Sequence, residues 1–182
     1  MKFGEFPKVG SLDGVTAFRA HLTALGLDMP CDDIVASGEN SLFAAPIEVS
    51  GMKIGNRLAL NPMEGWDGEL DGRPSDNTLR RWRRFGASGG KLVWGGEAVA
   101  VRPDGRANPN QLVMSDSTQA AIARLREALV NAHREAMGSD DGLVIGLQLT
   151  HSGRFCKPSD HKRFEPFIAY RHPLLDRKFG FP

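Results

Sequence analysis

Apolar positions spaced three and four residues apart predict three helices in this chain. The first helix is expected over residues 13–25, the second over 75–87 with Ser75 as its N-cap, and the third over 117–137 with Ser115 or Asp116 as its N-cap. The second helix carries apolar side chains on one face and arginines on the other, which predicts a solvated basic face. The apolar residues are Leu79, Trp82 and Phe85, and the arginines are Arg80, Arg81, Arg83 and Arg84.

Short apolar runs alternate with these helices and predict buried strands at residues 57–61, 91–94 and 143–149. A Ser-Gly pair between apolar positions also predicts a small hairpin over residues 47–54. The order strand–helix–strand–helix–strand predicts an α/β fold with a parallel sheet and right-handed crossovers. Trp82 and Trp94 are expected in the core. A doubly wound sheet and part of a (β/α)8 barrel both satisfy this pattern, although no Gly-x-Gly-x-x-Gly opens a helix.

Composition narrows the classes of function. The 182 residues carry 23 Lys and Arg against 22 Asp and Glu, a net charge of +1, which predicts no nucleic-acid partner. No apolar run reaches the roughly 20 residues that span a bilayer, so no membrane association is expected. Cys31 and Cys156 are too few for a disulfide framework and favour a cytoplasmic protein, and the early residues do not resemble a secretory signal. The histidines match no zinc spacing, so no metal is expected.

In both candidate architectures the functional groups follow the carboxyl ends of the strands. Three motifs stand there. Residues 42–49 (Leu-Phe-Ala-Ala-Pro-Ile-Glu-Val) precede Asn56-Arg57 and a strand that ends in Pro62-Met63. Glu97-Ala98 is followed by Val101, Pro103 and Gly105-Arg106, and residues 148–154 read Gln-Leu-Thr-His-Ser-Gly-Arg.

These motifs, in this order, resemble the old yellow enzyme family of FMN-dependent NADH:flavin oxidoreductases and ene-reductases, from about residue 42 to 154. The resemblance implies the N-terminal part of a TIM barrel, about three βα units in residues 42–182, preceded by an extension with one helix in residues 1–41. It also implies FMN as cofactor, NAD(P)H as reductant and an electron-poor alkene or similar acceptor as substrate. The cofactor-binding residues that it implies are Asn61, Pro62, Met63, Glu64, Ala98 and Gln148, and Trp66 would border the substrate pocket.

Glu64 departs from the family, in which many members have Thr or Cys at that position. A carboxylate beside a flavin that accepts a hydride is expected to be protonated, turned toward solvent, or associated with changed redox tuning. His151 and Arg154 are expected to fix the loop that contains them. For Gln148, a buried amide satisfied by backbone is the structural alternative to a flavin contact.

The family's substrate-binding His pair, its proton-donating Tyr and its FMN-phosphate loops belong to later strands, so the catalytic residues are unknown. From residue 42 the chain is well short of the roughly 250 residues of a typical barrel, and it is expected to be inactive alone. Two alternatives stay open. One is a non-catalytic remnant or interaction module, in which an oligomer or a second chain completes the barrel. The other is a barrel that acts without flavin.

Overall fold

The computed structural model describes Gly4 and residues 6–181, and it contains two compact units, Met1–Leu42 and Phe43–Pro182. The first unit contains helix α1 (Gly14–Ala24), where the sequence predicted a helix, and short 3-10 turns at Val9–Ser11 and Gly38–Asn40. No residue of α1 is buried. An ion pair of 2.6 Å joins Arg19 Nη1 to Asp33 Oδ1 within this unit.

The second unit begins with the predicted hairpin, formed by β1 (Ile47–Val49) and β2 (Met52–Ile54). Its strands pair antiparallel, with Val49 opposite Met52. The two turn residues, Ser50 (φ 50°) and Gly51 (φ 78°), both lie in the left-handed region. That conformation matches the twist of a two-residue hairpin loop, so the Ser-Gly pair was a sound signal.

Two parallel sheets and three helices follow, which confirms the α/β class. The strands are β3 (Ala59–Leu60), β4 (Leu92–Val93), β5 (Ala98–Ala100), β6 (Val144–Ile145) and β7 (Gln148–Thr150). The first sheet has the order β3-β4-β6 and the second pairs β5 with β7. The helices are α2 (Asp76–Ala87), α3 (Gln119–Met137) and α4 (Pro173–Phe179). The sheets do not close into a barrel within the described residues.

The third predicted strand, residues 143–149, was wrong as a single element. Gly146 N donates to Val93 O (2.8 Å), whereas Gln148 N donates to Glu97 O (3.2 Å), so β6 and β7 pair with different strands. Between those partners the chain turns at Gly95, whose φ is +82°. The interruption between β4 and β5 therefore lies beside the interruption between β6 and β7. An apolar run in the sequence does not reveal such a break.

The core is formed by residues of α2, α3, β4 and β5 and of the loop that follows β5. Its buried members are Trp82, Val93, Val99, Leu112, Ile122, Leu125 and Leu129. Trp82 is 2% exposed, as predicted, but Trp94 is 59% exposed, so its prediction as a core residue was wrong. Successive side chains of a strand point to opposite faces, and because Val93 points inward, Trp94 points out.

The ends of the helices were predicted in part. Ser75 caps α2 in a capping box with Thr78, as expected. The N-cap of α3 is Thr118 and neither Ser115 nor Asp116, since residues 115–118 form a turn before the helix in which Thr118 N donates to Ser115 O (3.1 Å). Helix α4 was not predicted, although Pro173 at its start and Gly180 after its end are typical helix boundaries.

Candidate functional site

The three strand-end segments meet around Gly95, which follows β4. A Cβ atom at this position would lie 2.9 Å from Pro62 Cγ and 3.1 Å from Gln148 Cβ. Pro62 follows β3 and Gln148 opens β7, so residues from all three predicted strands converge here. Only glycine leaves room for this approach, and only glycine adopts φ +82° at little cost.

Ala98 and Gln148 are direct partners in the parallel register of β5 and β7. Ala98 is buried, whereas Gln148 is exposed. The side-chain amide of Gln148 makes no hydrogen bond within the part of the chain that the structure describes. The alternative of a buried, backbone-satisfied amide was therefore wrong, and Gln148 presents two donors and an acceptor to whatever occupies this side of the sheet.

The segment after β3 carries the other predicted residues. Asn61 and Met63 have exposed side chains, and Met63 is 64% exposed. Glu64 is half-buried and accepts a hydrogen bond of 2.6 Å from the indole nitrogen of Trp66. Its other carboxylate oxygen accepts a hydrogen bond of 3.3 Å from Gln111 Nε2. The sequence left open a Glu64 carboxylate that is turned toward solvent or protonated. In the structure the side chain is neither fully exposed to solvent nor fully desolvated.

Gln111 was missed by the sequence reasoning. It is 1% exposed, and its side-chain nitrogen lies 3.0 Å from both Ala98 O and Thr150 Oγ1, in addition to Glu64. Its carbonyl oxygen accepts from Ala107 N (2.6 Å). Gln111 therefore joins the ends of all three predicted strands. It lies in a loop without periodicity, so no pattern signalled its burial.

A second polar cluster, centred on Glu97, contacts the segment after β3. Glu97 is 2% exposed, and its carboxylate accepts a hydrogen bond of 2.9 Å from Gly65 N. It also forms an ion pair of 2.6 Å with Arg81 Nη2, which in turn lies 2.8 Å from the carboxylate of Asp67. Burial raises the pKa of Glu97, against the opposing effects of the Gly65 N–H and of Arg81. Burial disfavours the charged form of Arg81, yet the hydrogen bonds and charges of Asp67 and Glu97 outweigh it and raise its pKa.

The predicted solvated face of α2 is therefore wrong at Arg81, whose side chain is only 20% exposed. Arg80, Arg83 and Arg84 differ from it in having no carboxylate partner among the described residues. The spacing of apolar residues identifies the buried face of a helix, but not which residues at the edge of that face are covered. Arg81 lies at this edge, next to Trp82. The carboxylates of Asp67 and Glu97, which come from separate loops, complete its environment.

The residues after β7 make the expected loop contacts. His151 Nδ1 accepts from Gly153 N (3.0 Å), and its ring lies so close to Gly105 that a Cβ there would be 2.5 Å from Cδ2. Arg154 pairs with Asp176, donates to Tyr170 O and lies 4.9 Å from the centre of the Tyr170 ring. These contacts fix the segment that contains both side chains.

Cys156 is completely buried, and this burial raises the pKa of its thiol, which disfavours a nucleophilic role. Among Gly4 and residues 6–181, no group of three or more His, Cys, Asp or Glu side chains is arranged to hold a metal ion. The helices of that same part of the chain are too short or too polar to cross a membrane.

The fold is an α/β arrangement that known enzymes share. The solved structures that it resembles are consistently members of the old yellow enzyme family. The old yellow enzyme homologue from Zymomonas mobilis matches 75% of this chain at 19% identity, with a TM-score of 0.53. Old Yellow Enzyme from a Pichia species matches 78% at 20% identity, and morphinone reductase in complex with tetrahydroNAD matches 64% at 22% identity, both with a TM-score of 0.50.

The chain spans only part of those proteins: 41% of the Zymomonas mobilis homologue, 30% of the Pichia enzyme and 29% of morphinone reductase. No protein-family model and no curated protein sequence matches the chain. At these identities the likeness establishes the fold.

Proposed function

We propose that this chain is the N-terminal, flavin-pyrimidine-binding part of an FMN-dependent oxidoreductase of the old yellow enzyme family. In the complete enzyme, NAD(P)H would supply the hydride and an electron-poor alkene or similar acceptor would receive it. In this proposal the first compact unit is an N-terminal extension, and the second is a partial barrel that begins near residue 42. Three motifs in the family's order support the proposal, together with a fold shared with old yellow enzymes.

One observation carries the proposal. Three segments far apart in sequence meet here: Pro62 and Gln148 approach Gly95 beyond the carboxyl ends of β3 and β4, and Ala98 pairs with Gln148 where β5 and β7 begin. In open and closed parallel α/β folds this edge is where ligands bind. A Cβ atom at Gly95 would lie 2.9 Å from Pro62 Cγ and 3.1 Å from Gln148 Cβ, so the close approach of these residues to the chain requires glycine there.

The residues at this edge fit the pyrimidine side of a flavin. Its edge alternates N–H and C=O groups, and the exposed Gln148 amide has donors and an acceptor with no partner among the described residues. Ala98 beside it is small enough for a ring to approach its backbone. Glu64 does not oppose this fit, since the donors Trp66 and Gln111 hold its two oxygens.

FMN, when bound, supplies the hydride-transfer chemistry, and the protein supplies binding and orientation. In this chain Gln148 would orient the ring, Gly95 would keep Pro62 and Gln148 at the required separation, and Asn61 and Met63 would line the approach. The family's phosphate-binding loops follow later strands than those present here. We therefore expect weak FMN binding by the chain alone, with riboflavin bound about as well as FMN.

Flavin titration tests this proposal. Binding is followed by quenching of flavin fluorescence in the wild type, in Gln148→Leu, and in the matched control Gln119→Leu on the exposed surface of α3. Loss of the hydrogen bonds of Gln148 should weaken binding by about tenfold, and the control should bind as the wild type does. No saturable flavin binding by the wild type, or equal binding by both variants, would contradict the proposal.

A second candidate function is an interaction module in which another chain completes the sheet. Exposed apolar side chains near the second sheet favour it: Trp94 is 59%, Leu149 57% and Val101 43% exposed. Sedimentation velocity distinguishes the two. An assembly that forms at micromolar concentration without flavin, and that dissociates when Leu149 is replaced by Lys, would favour the module. A monomer that binds flavin would favour the oxidoreductase.

A further inference from the structure

Trp66 has an unusual backbone conformation for a bulky residue. Its φ is 51°, in the left-handed region that residues other than glycine and asparagine rarely adopt. Trp66 is 58% exposed, so burial does not hold it in place. Strained residues of this kind concentrate at functional sites and persist only where the surroundings determine them. A specific contact is needed to hold this one.

That contact is the hydrogen bond of 2.6 Å from Trp66 Nε1 to Glu64 Oε2. A hydrogen bond to a charged acceptor is stronger than a neutral one, and the indole nitrogen has only this donor to give. The bond connects residues two apart in sequence, so it fixes the local turn together with the direction of the ring. The bond therefore restricts the orientations that the indole can adopt.

Glu64 is itself anchored to the strand ends. Its Oε1 receives Gln111 Nε2 (3.3 Å), and that nitrogen also lies 3.0 Å from both Ala98 O and Thr150 Oγ1. An amide nitrogen has two hydrogens and three acceptors surround this one, so one hydrogen is shared between two acceptors. A continuous set of hydrogen bonds thus runs from the exposed indole of Trp66 to β5 and β7.

We infer that Glu64 is a positioning residue that holds the Trp66 indole as a fixed flat wall beside the candidate flavin site. A fixed aromatic plane favours ligands that are flat and conjugated over puckered ligands of the same size, because only flat ones stack on it without loss of contact. The carboxylate that departs from the family would then serve substrate selection. This role rests on the proposed function, but the positioning of the indole does not.

The three tryptophans allow the positioning to be tested in the free protein. With 15N-labelled tryptophan, each indole N–H gives its own signal, and Trp66 is assigned by its loss in Trp66→Phe. Trp94 is as exposed as Trp66, at 59% against 58%, and donates no hydrogen bond within the described residues. The buried Trp82, whose Nε1 has no partner, provides the slow reference.

Hydrogen exchange of the Trp66 indole should be about tenfold slower than that of Trp94. Glu64→Leu should abolish this difference, whereas Glu64→Gln, whose amide oxygen still accepts, should keep most of it. Glu69→Leu, which removes an exposed carboxylate in the same loop, is the control and should change nothing. Equal exchange of Trp66 and Trp94 in the wild type, or protection that survives Glu64→Leu, would overturn the positioning role.

Selection is tested with cyclohex-2-en-1-one and its saturated analogue cyclohexanone, whose affinities are compared by calorimetry in saturating FMN. The wild type and Glu64→Gln should prefer the flat ligand, and Glu64→Leu should lose at least about threefold of that preference. An unchanged preference in Glu64→Leu would overturn the selective role. If the wild type binds no FMN, the proposed function fails and the selective role fails with it, while indole exchange still decides the positioning.

Discussion

Gly95 is the position where a single methyl group should disturb the candidate site most directly. In Gly95→Ala the new Cβ would lie 2.9 Å from Pro62 Cγ and 3.2 Å from the backbone nitrogen of Gln148, closer than real Cβ atoms comfortably approach. Overpacking of this kind costs about 1–3 kcal/mol. Alanine at φ +82° adds about 1–2 kcal/mol of backbone strain. Together these effects should lower the free energy of unfolding by about 2–5 kcal/mol.

Gly138→Ala is the matched control. Gly138 has nearly the same backbone conformation, φ +79°, but a Cβ there would meet nothing within 4 Å. It should therefore show only the strain of about 1–2 kcal/mol. Urea unfolding followed by circular dichroism measures both variants, and flavin titration should show weakened binding in Gly95→Ala alone. Equal losses of stability, or unchanged flavin binding in Gly95→Ala, would refute the argument that Pro62 and Gln148 meet tightly at Gly95.

Three further predictions concern ion pairing, packing and burial elsewhere in the chain. Arg81→Met should lower the free energy of unfolding by about 3–5 kcal/mol at pH 7, since it leaves the buried Glu97 carboxylate unpaired. The loss should be smaller at pH 5, because burial raises the pKa of Glu97 and the protonated form carries no charge. Gly86→Ala should lower the melting temperature although alanine usually favours helices, because its Cβ would lie 2.2 Å from a carbonyl oxygen of α3. A thiol reagent should modify Cys31 in the folded protein and Cys156 only in urea, since Cys156 is buried; equal modification rates would contradict this burial.

Much of the fold was predictable because the long helices carry strong local signals. Helix α2 combines an N-cap serine with an apolar stripe, and its predicted bounds, residues 75–87, nearly coincide with Asp76–Ala87. The parallel order of the strands followed from their alternation with helices. Helix α4 was missed because its seven residues, Pro173–Phe179, are too few to show a period and only its boundary residues mark it.

The site was predictable only where it coincides with a sequence motif. Gln148 and Ala98 were singled out from separate motifs, and the register places them opposite each other. Gln111 and Arg81 were not singled out, because their positions depend on partners distant in sequence. Nothing near Gln111 along the chain indicates that its amide lies 3.0 Å from Thr150 Oγ1, and Arg81 looked like its solvated neighbours until Asp67 and Glu97 were placed.

The paired interruptions in the strands explain why the site lies where it does. If β6 and β7 were one strand, that strand would pair with a single neighbour throughout, and Gln148 would lie within the first sheet. Instead both neighbouring strands change partners at Gly95 and Gly146, where a Cβ on Gly146 would lie 3.3 Å from Gly95 N. This change brings Gln148 opposite Ala98 in a second sheet and beside Pro62. The geometry of the site therefore depends on two glycines within apolar runs, and we expect a side chain at either one to weaken flavin binding.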